Sequence, residues 1–264
     1  MNHFLKNRVA IVTGGHSRIG RLLARSLAAV GARVVVADCA TRADGVEALP
    51  ARGPNVELMD IDVTSASDVE RMVGVCEQRF GRIDLLLNNA TSQPALRDSS
   101  FSELTVDDWH QSMNVNVLAP FLCCRAVLPA MKRNGGGQVI NIVSATGDSA
   151  RRNPLHQQAG SGALLAMTRT LAHELREFDV SVNTVAVGYP QVGGLGIRFP
   201  EGQAPLDVLD AVAFLSAAGG RAFTGHTVNV ERLIGEESTV RQREEKLMRR
   251  NARRIESGRR TLSA

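Results

Sequence analysis

Residues 8–20 read Arg8-Val9-Ala10-Ile11-Val12-Thr13-Gly14-Gly15-His16-Ser17-Arg18-Ile19-Gly20, and this stretch decides the fold. Its first half is a continuous β-branched apolar run, the pattern of a strand buried on both faces. The glycines that follow mark a tight turn. From residue 18 to residue 30 the apolar spacing is helical and stops at Gly31, a C-cap signal. A strand running through a glycine turn into a helix directs backbone N–H groups, and the positive end of the helix dipole, at an anion. Gly14, Arg18, Ile19 and Gly20 are therefore candidate phosphate-contacting residues.

The pattern repeats outward from this stretch. Residues 32–38, 56–60, 82–88, 137–144, 180–187 and 226–230 are further short apolar runs, which makes seven strands. Between them lie helical patterns at 66–80 (opened by Ser65 and closed by Gly81), 105–133 and 158–177. This alternation predicts an α/β chain, a doubly wound parallel sheet of Rossmann type with helices on both faces. Asp38 lies 24 residues beyond Gly14, at a strand end. A carboxylate there accepts hydrogen bonds from an adenosine ribose and repels a 2′-phosphate, so NAD(H) is the expected dinucleotide if one binds.

The predicted organisation is one domain over residues 1–231 and an Arg-rich extension over 232–264. The formal net charge of +4 belongs to that tail: residues 231–264 hold ten Arg/Lys against six Asp/Glu, and the rest of the chain is balanced. A basic tail without a basic face on the core argues against nucleic-acid binding. No run approaches the roughly 18 continuous apolar residues of a membrane span, and no export signal opens the chain. Cys39, Cys76, Cys123 and Cys124 lack metal-ligand spacing and read as buried thiols in a reducing cytoplasm.

Over residues 5–230 the chain resembles the short-chain dehydrogenases/reductases. Thr13, Gly14 and Gly20 match the family's T-G-x-x-x-G-x-G motif, with Arg18 where the middle glycine stands. An arginine there disfavours positive φ, and it either clasps a phosphate or fills the space the pyrophosphate needs. Asp62-Val63 resembles the pair that contacts adenine. Asn88-Asn89-Ala90 resembles the family's N-N-A-G, with Thr91 in place of glycine. Asn116 resembles the asparagine that anchors the proton relay, and Ser144 the serine that orients substrate. The resemblance also implies homodimers or homotetramers built through the 105–133 and 158–177 helices.

The resemblance fails at the acid. In the family a tyrosine transfers the proton and a lysine four residues later lowers its pKa, because an unassisted phenol near pKa 10 is a poor acid at neutral pH. Counting on from Ser144 puts Gln157 at the tyrosine position and Ser161 at the lysine position. The chain holds one tyrosine, Tyr189, and three lysines, Lys6, Lys132 and Lys246, and none forms Y-x-x-x-K. An amide and a hydroxyl offer no proton tunable near neutrality. The stretch after Val187-Gly188 is also short for the family's substrate lid.

Ser144, Asn116, His156 and Tyr189 are the remaining candidates for chemistry. His156 adjoins the tyrosine position, but helix neighbours point about 100° apart, which favours a surface or interface role. Asp148, Arg151 and Arg152 are weaker candidates at the rim. Three readings follow. One is a repurposed enzyme performing a non-redox step (cyclisation, dehydration or rearrangement) on a small metabolite. A second is a non-catalytic subunit in a hetero-oligomer with an active relative. The third is an NAD-dependent oxidoreductase with a different acid.

Overall fold

The computed structural model of the chain describes residues 4–39, 55–91, 101–144, 155–187 and 207–230. Seven parallel strands form one sheet: β1 (Val9–Thr13), β2 (Arg33–Asp38), β3 (Val56–Asp60), β4 (Leu85–Asn88), β5 (Gly137–Ser144), β6 (Val180–Val187) and β7 (Thr227–Val230). Their spatial order is β3-β2-β1-β4-β5-β6-β7, all pairings parallel. Strand order reverses between β1 and β4. A crevice at the C-terminal ends of those two strands is where this architecture accepts ligands.

Two cores sandwich the sheet, and the period of two along each strand divides them. Ile11, Val35, Leu86, Val139 and Val182 face one layer; Ala10, Val12, Val34, Val36, Leu87, Ile140 and Val185 face the other. Helices α1 (Arg18–Ala29) and α6 (Val208–Ser216) cover the second layer through Leu23, Leu27, Val212 and Leu215. The first layer is covered by α2 (Ala66–Phe80), α4 (Ala119–Arg133) and α5 (Leu155–Glu174), with Met72, Cys76, Val127 and Ala172 in the core. At the opposite edge of the sheet Asp84 is clasped by Arg8, Arg82 and the N–H of Val9. Burial pushes its carboxyl up, but these partners overrule it and hold it below the usual carboxylate range.

The 105–133 pattern is not one uninterrupted helix. It divides into α3 (Val106–Met113), a π turn over Asn114–Leu118 that contains Asn116, and α4. Single π turns of this kind are often found at functional sites. The run from Val106 to Arg133 is long and apolar enough to cross a membrane by length and composition. Its Leu122, Cys123, Val127 and Met131 are buried in the core, as in a core helix. Cys76, Cys123 and Cys124 are buried free thiols, and burial pushes Cys76 and Cys124 up to about 12. Cys39, expected to be buried, is only half-buried. The charged extension of 232–264 and the stretch after Val187 lie outside the described residues.

Candidate functional site

The crevice has two walls. The first is the glycine corner, where β1 turns into α1 against the end of β4. Gly14 adopts φ +68°, and a Cβ on it would stand 2.7 Å from the Ala90 Cα. A Cβ on Gly20 would stand 2.3 Å from the Gly14 carbonyl oxygen, and one on Gly15 would collide with Val36. These glycines let the turn close on itself and on β4. Gly15 was not among the sequence candidates, although it lies in the same motif.

Hydrogen bonds lock the corner. The Thr13 hydroxyl accepts from the N–H groups of Asn89 (3.0 Å) and Ala90 (3.1 Å). The Asn89 Nδ2 amide donates to the carbonyls of Thr13 (3.1 Å) and Gly14 (3.0 Å) and to the Ser17 hydroxyl. Ser17 caps α1, accepting from the Gly20 N–H and donating to the Gly14 carbonyl. Asn89 and Ala90 thus hold the glycine loop closed against β4. Arg18 is the first residue of α1 and has helical backbone geometry. The objection from positive φ therefore falls, because this position does not need it. Ile19 is half-buried and packs on the α1 core.

Asp38 closes β2 and is buried, at 8% exposure. One carboxylate oxygen accepts from the His16 N–H at 2.7 Å and the other from the Cys39 N–H at 2.9 Å. It ties the glycine loop to β2, a role the sequence reading did not include. Asp62 is exposed, accepting from the Thr64 N–H and hydroxyl within its own turn, and Val63 is buried in the core.

The second wall is the start of α5 with the ends of β5 and β6. Ser144 closes β5 and pairs with Val187. Gln157 is half-buried near the start of α5, and Ser161, one turn later, is buried. Asn116 lies on the π turn, its amide donating to the Ser112 hydroxyl at 2.9 Å. A Cβ on Gly160 would stand 3.0 Å from the Asn116 Cβ, so the glycine brings α5 close to that turn. His156 is not a surface residue: it is fully buried, because its ring turns inward while the neighbouring Leu155 remains 48% exposed. Neither of its ring nitrogens has a hydrogen-bond partner among the described residues.

Of the lysines, Lys6 precedes β1 and Lys132 ends α4, both at the edge of the sheet opposite the crevice. Tyr189, Asp148, Arg151, Arg152 and Lys246 lie outside the described residues.

The middle of α5 is pinned to the sheet by a buried polar chain. The Asn88 amide donates to Asn141 Oδ1 (2.8 Å), and the Asn141 amide donates to the Thr168 hydroxyl (2.9 Å), which meets that of Thr184 (2.9 Å). Sequence reasoning passed over Asn141, Thr168 and Thr184. The available signal was a polar residue inside an apolar strand run, as in residues 137–144 and 180–187.

Geometrically, then, the first wall is a tight glycine turn at a helix N-terminus, an arrangement that suits an anion. The second offers amides and hydroxyls. Comparison with known proteins agrees with this architecture. The short chain dehydrogenase family profile matches residues 8–194. A 3-oxoacyl-[acyl-carrier-protein] reductase of Synechocystis is 32% identical over 86% of this chain and 96% of its own. The Escherichia coli 3-oxoacyl-[acyl-carrier-protein] reductase FabG is 28% identical over 85% and 96%. Among solved structures, a blue fluorescent protein from a metagenomic library, in complex with NADPH, superposes with TM-score 0.71 and 30% identity, covering 88% of this chain and 98% of that one.

Proposed function

The chain belongs to the short-chain dehydrogenase family, and from that premise we propose that it keeps the family's dinucleotide frame while having given up phenol-driven carbonyl reduction. Its reaction, on this reading, is a non-redox step such as cyclisation, dehydration or rearrangement of a small metabolite. What supports it is the sequence: counted from Ser144, Gln157 and Ser161 on α5 fall at the positions of the family's tyrosine and lysine. Neither side chain can cycle a proton near neutral pH. Both described lysines lie at the opposite edge of the sheet.

The glycine corner fits the adenosine half of NAD(H). Gly14, Gly15 and Gly20 form a turn with no room for side chains, and the first N–H groups of α1 point out of its N-terminus. Asp38 would receive the ribose and disfavour a 2′-phosphate. Helix α1 starts at Arg18 and has no acidic residue in its first turn, so its N-terminus is free to take an anion such as a pyrophosphate. A bound nicotinamide would supply or take a hydride, and on this reading the second wall, with Ser161 at the lysine position, would lack the ammonium that steadies its ribose. Ser144 and Asn116 would orient the metabolite.

A second reading has one observation in its favour: the relatives named above are reductases. On that reading a different acid, Tyr189 for example, supports NAD-dependent reduction. The two separate in one experiment. NADH is titrated into the protein, and metabolite mixtures are then incubated with it and followed by mass spectrometry and by reduced-nicotinamide absorbance. Product without loss of absorbance supports the non-redox reading, and product with matched loss supports the reductase.

Self-association belongs to the same proposal. Phe121 and Leu118 on the outer face of the α4 run are 44% and 40% exposed, and α5 presents Gly162, Ala163 and Ala166 outward. A second copy covering these faces would form a dimer, measurable as twice the monomer mass in sedimentation. The free thiols suit a reducing cytoplasm.

A further inference from the structure

We propose that His156 is a neutral buried latch whose protonation releases the first turn of α5 from α3 and the π turn, making the second wall of the crevice sensitive to mild acid. The inference is independent of which reaction the crevice performs, and its test needs no ligand.

His156 is fully buried, and both ring nitrogens lack partners among the described residues. An ordinary core position would take a leucine or phenylalanine without leaving a donor and an acceptor unmet. The ring's direction follows from the helix. Gly160 lies four residues on, along the same stripe of α5. The Cβ direction of Gly160 meets Asn116 and the Met113 Cε. One turn earlier, the same stripe carries His156 toward α3. Ser112, buried on α3, and Asn116 are already bonded to each other there.

Among the described residues, charge around the ring is sparse. Titratable residues on α3 are Asp107, Asp108 and His110; the π turn, β5 and β6 carry none. Of these only Asp108 couples to His156. Its carboxylate is engaged at the α3 cap, accepting from the Thr105 N–H and hydroxyl. Arg151 and Arg152 lie outside the described residues. Burial pushes the imidazole below its usual value, and Asp108 pulls weakly the other way.

The sign follows. A histidine held neutral in the folded state stabilises it above the ordinary histidine pKa, and that contribution is lost as pH falls below it. The loss is local because only the start of α5 is involved. Further along the helix, Thr168 is tied to Asn141 and Thr184, none of which titrates. Gln157 lies in the turn that would open, so the crevice loses part of its second wall in acid.

Hydrogen exchange of the full chain between pH 8 and 5, corrected for intrinsic rates, tests this. Amides of residues 158–161 should lose protection by up to about tenfold per pH unit below the ordinary histidine range. Those around Thr168 should keep theirs. His156→Phe should make the first turn's protection independent of pH, and His156→Leu repeats the test with a smaller side chain. The proposal is overturned if the wild-type first turn keeps its protection to pH 5. It is also overturned if both variants retain the acid sensitivity, or if both lose protection already at pH 8, which would mean that the ring nitrogens serve a partner there.

Discussion

The glycine corner and the start of α5 both lie at the C-terminal edge of the sheet, and they are built in opposite ways. At the corner, Thr13, Ser17, Asp38 and Asn89 satisfy one another and the turns around them, and the glycines leave no space unused. At α5, the proposed reading puts Gln157 and Ser161 where a phenol and an ammonium would be needed, and a buried imidazole beside them has no hydrogen-bond partner among the described residues. A pyrophosphate-binding turn is also a folding element, since its glycines and hydrogen bonds hold β1, β4 and α1 together. An acid–base pair holds nothing together, so on the proposed reading its loss would cost only the reaction, while the half of the site that doubles as scaffold stays recognisable.

Four substitutions sharpen that contrast. Gly20→Val is the most damaging, because its side chain meets the Gly14 carbonyl inside the locked turn. A loss of about 3 kcal/mol in denaturant unfolding is expected, together with loss of NADH binding in a calorimetric titration. Thr168→Val removes the hub between Asn141 and Thr184 and leaves a buried amide unmet. It should cost about 2 kcal/mol in the same unfolding assay without altering NADH affinity. Asp38→Asn weakens the bonds from the His16 and Cys39 N–H groups, costing about 1.5 kcal/mol. It should also move the ratio of NADPH to NADH affinity toward NADPH, as measured by fluorescence titration. Arg18→Gly should leave stability nearly unchanged and weaken NADH binding about tenfold, or about 1.4 kcal/mol. Tighter binding instead would mean that the side chain obstructs the site.

Much of this arrangement is legible in the sequence. Strand-to-turn-to-helix order in residues 8–20, Ser65 and Gly81 as the caps of α2, and the bounds of β3, β5 and β6 follow from apolar period and punctuation. Two kinds of feature are not. The π turn at Asn114–Leu118 carries no glycine or proline, so nothing in its pattern separates it from the helices it joins. The burial of His156 and the pairing of Asn141 with Thr168 depend on which helix face meets which neighbour, and that is set by packing between segments distant in sequence. Asp38 shows a third case. Its position was readable, but its bond to the His16 N–H exists only once the glycine turn has closed.

Single-turnover hydride transfer tests the central claim most directly. Wild-type protein and the Gln157→Tyr/Ser161→Lys double variant are each mixed with stoichiometric NADH and a 3-oxoacyl thioester, and reduced-nicotinamide absorbance is followed. The account predicts that both bind NADH and that only the double variant consumes it. Consumption by the wild-type chain, matched by formation of the hydroxyacyl product, would contradict it.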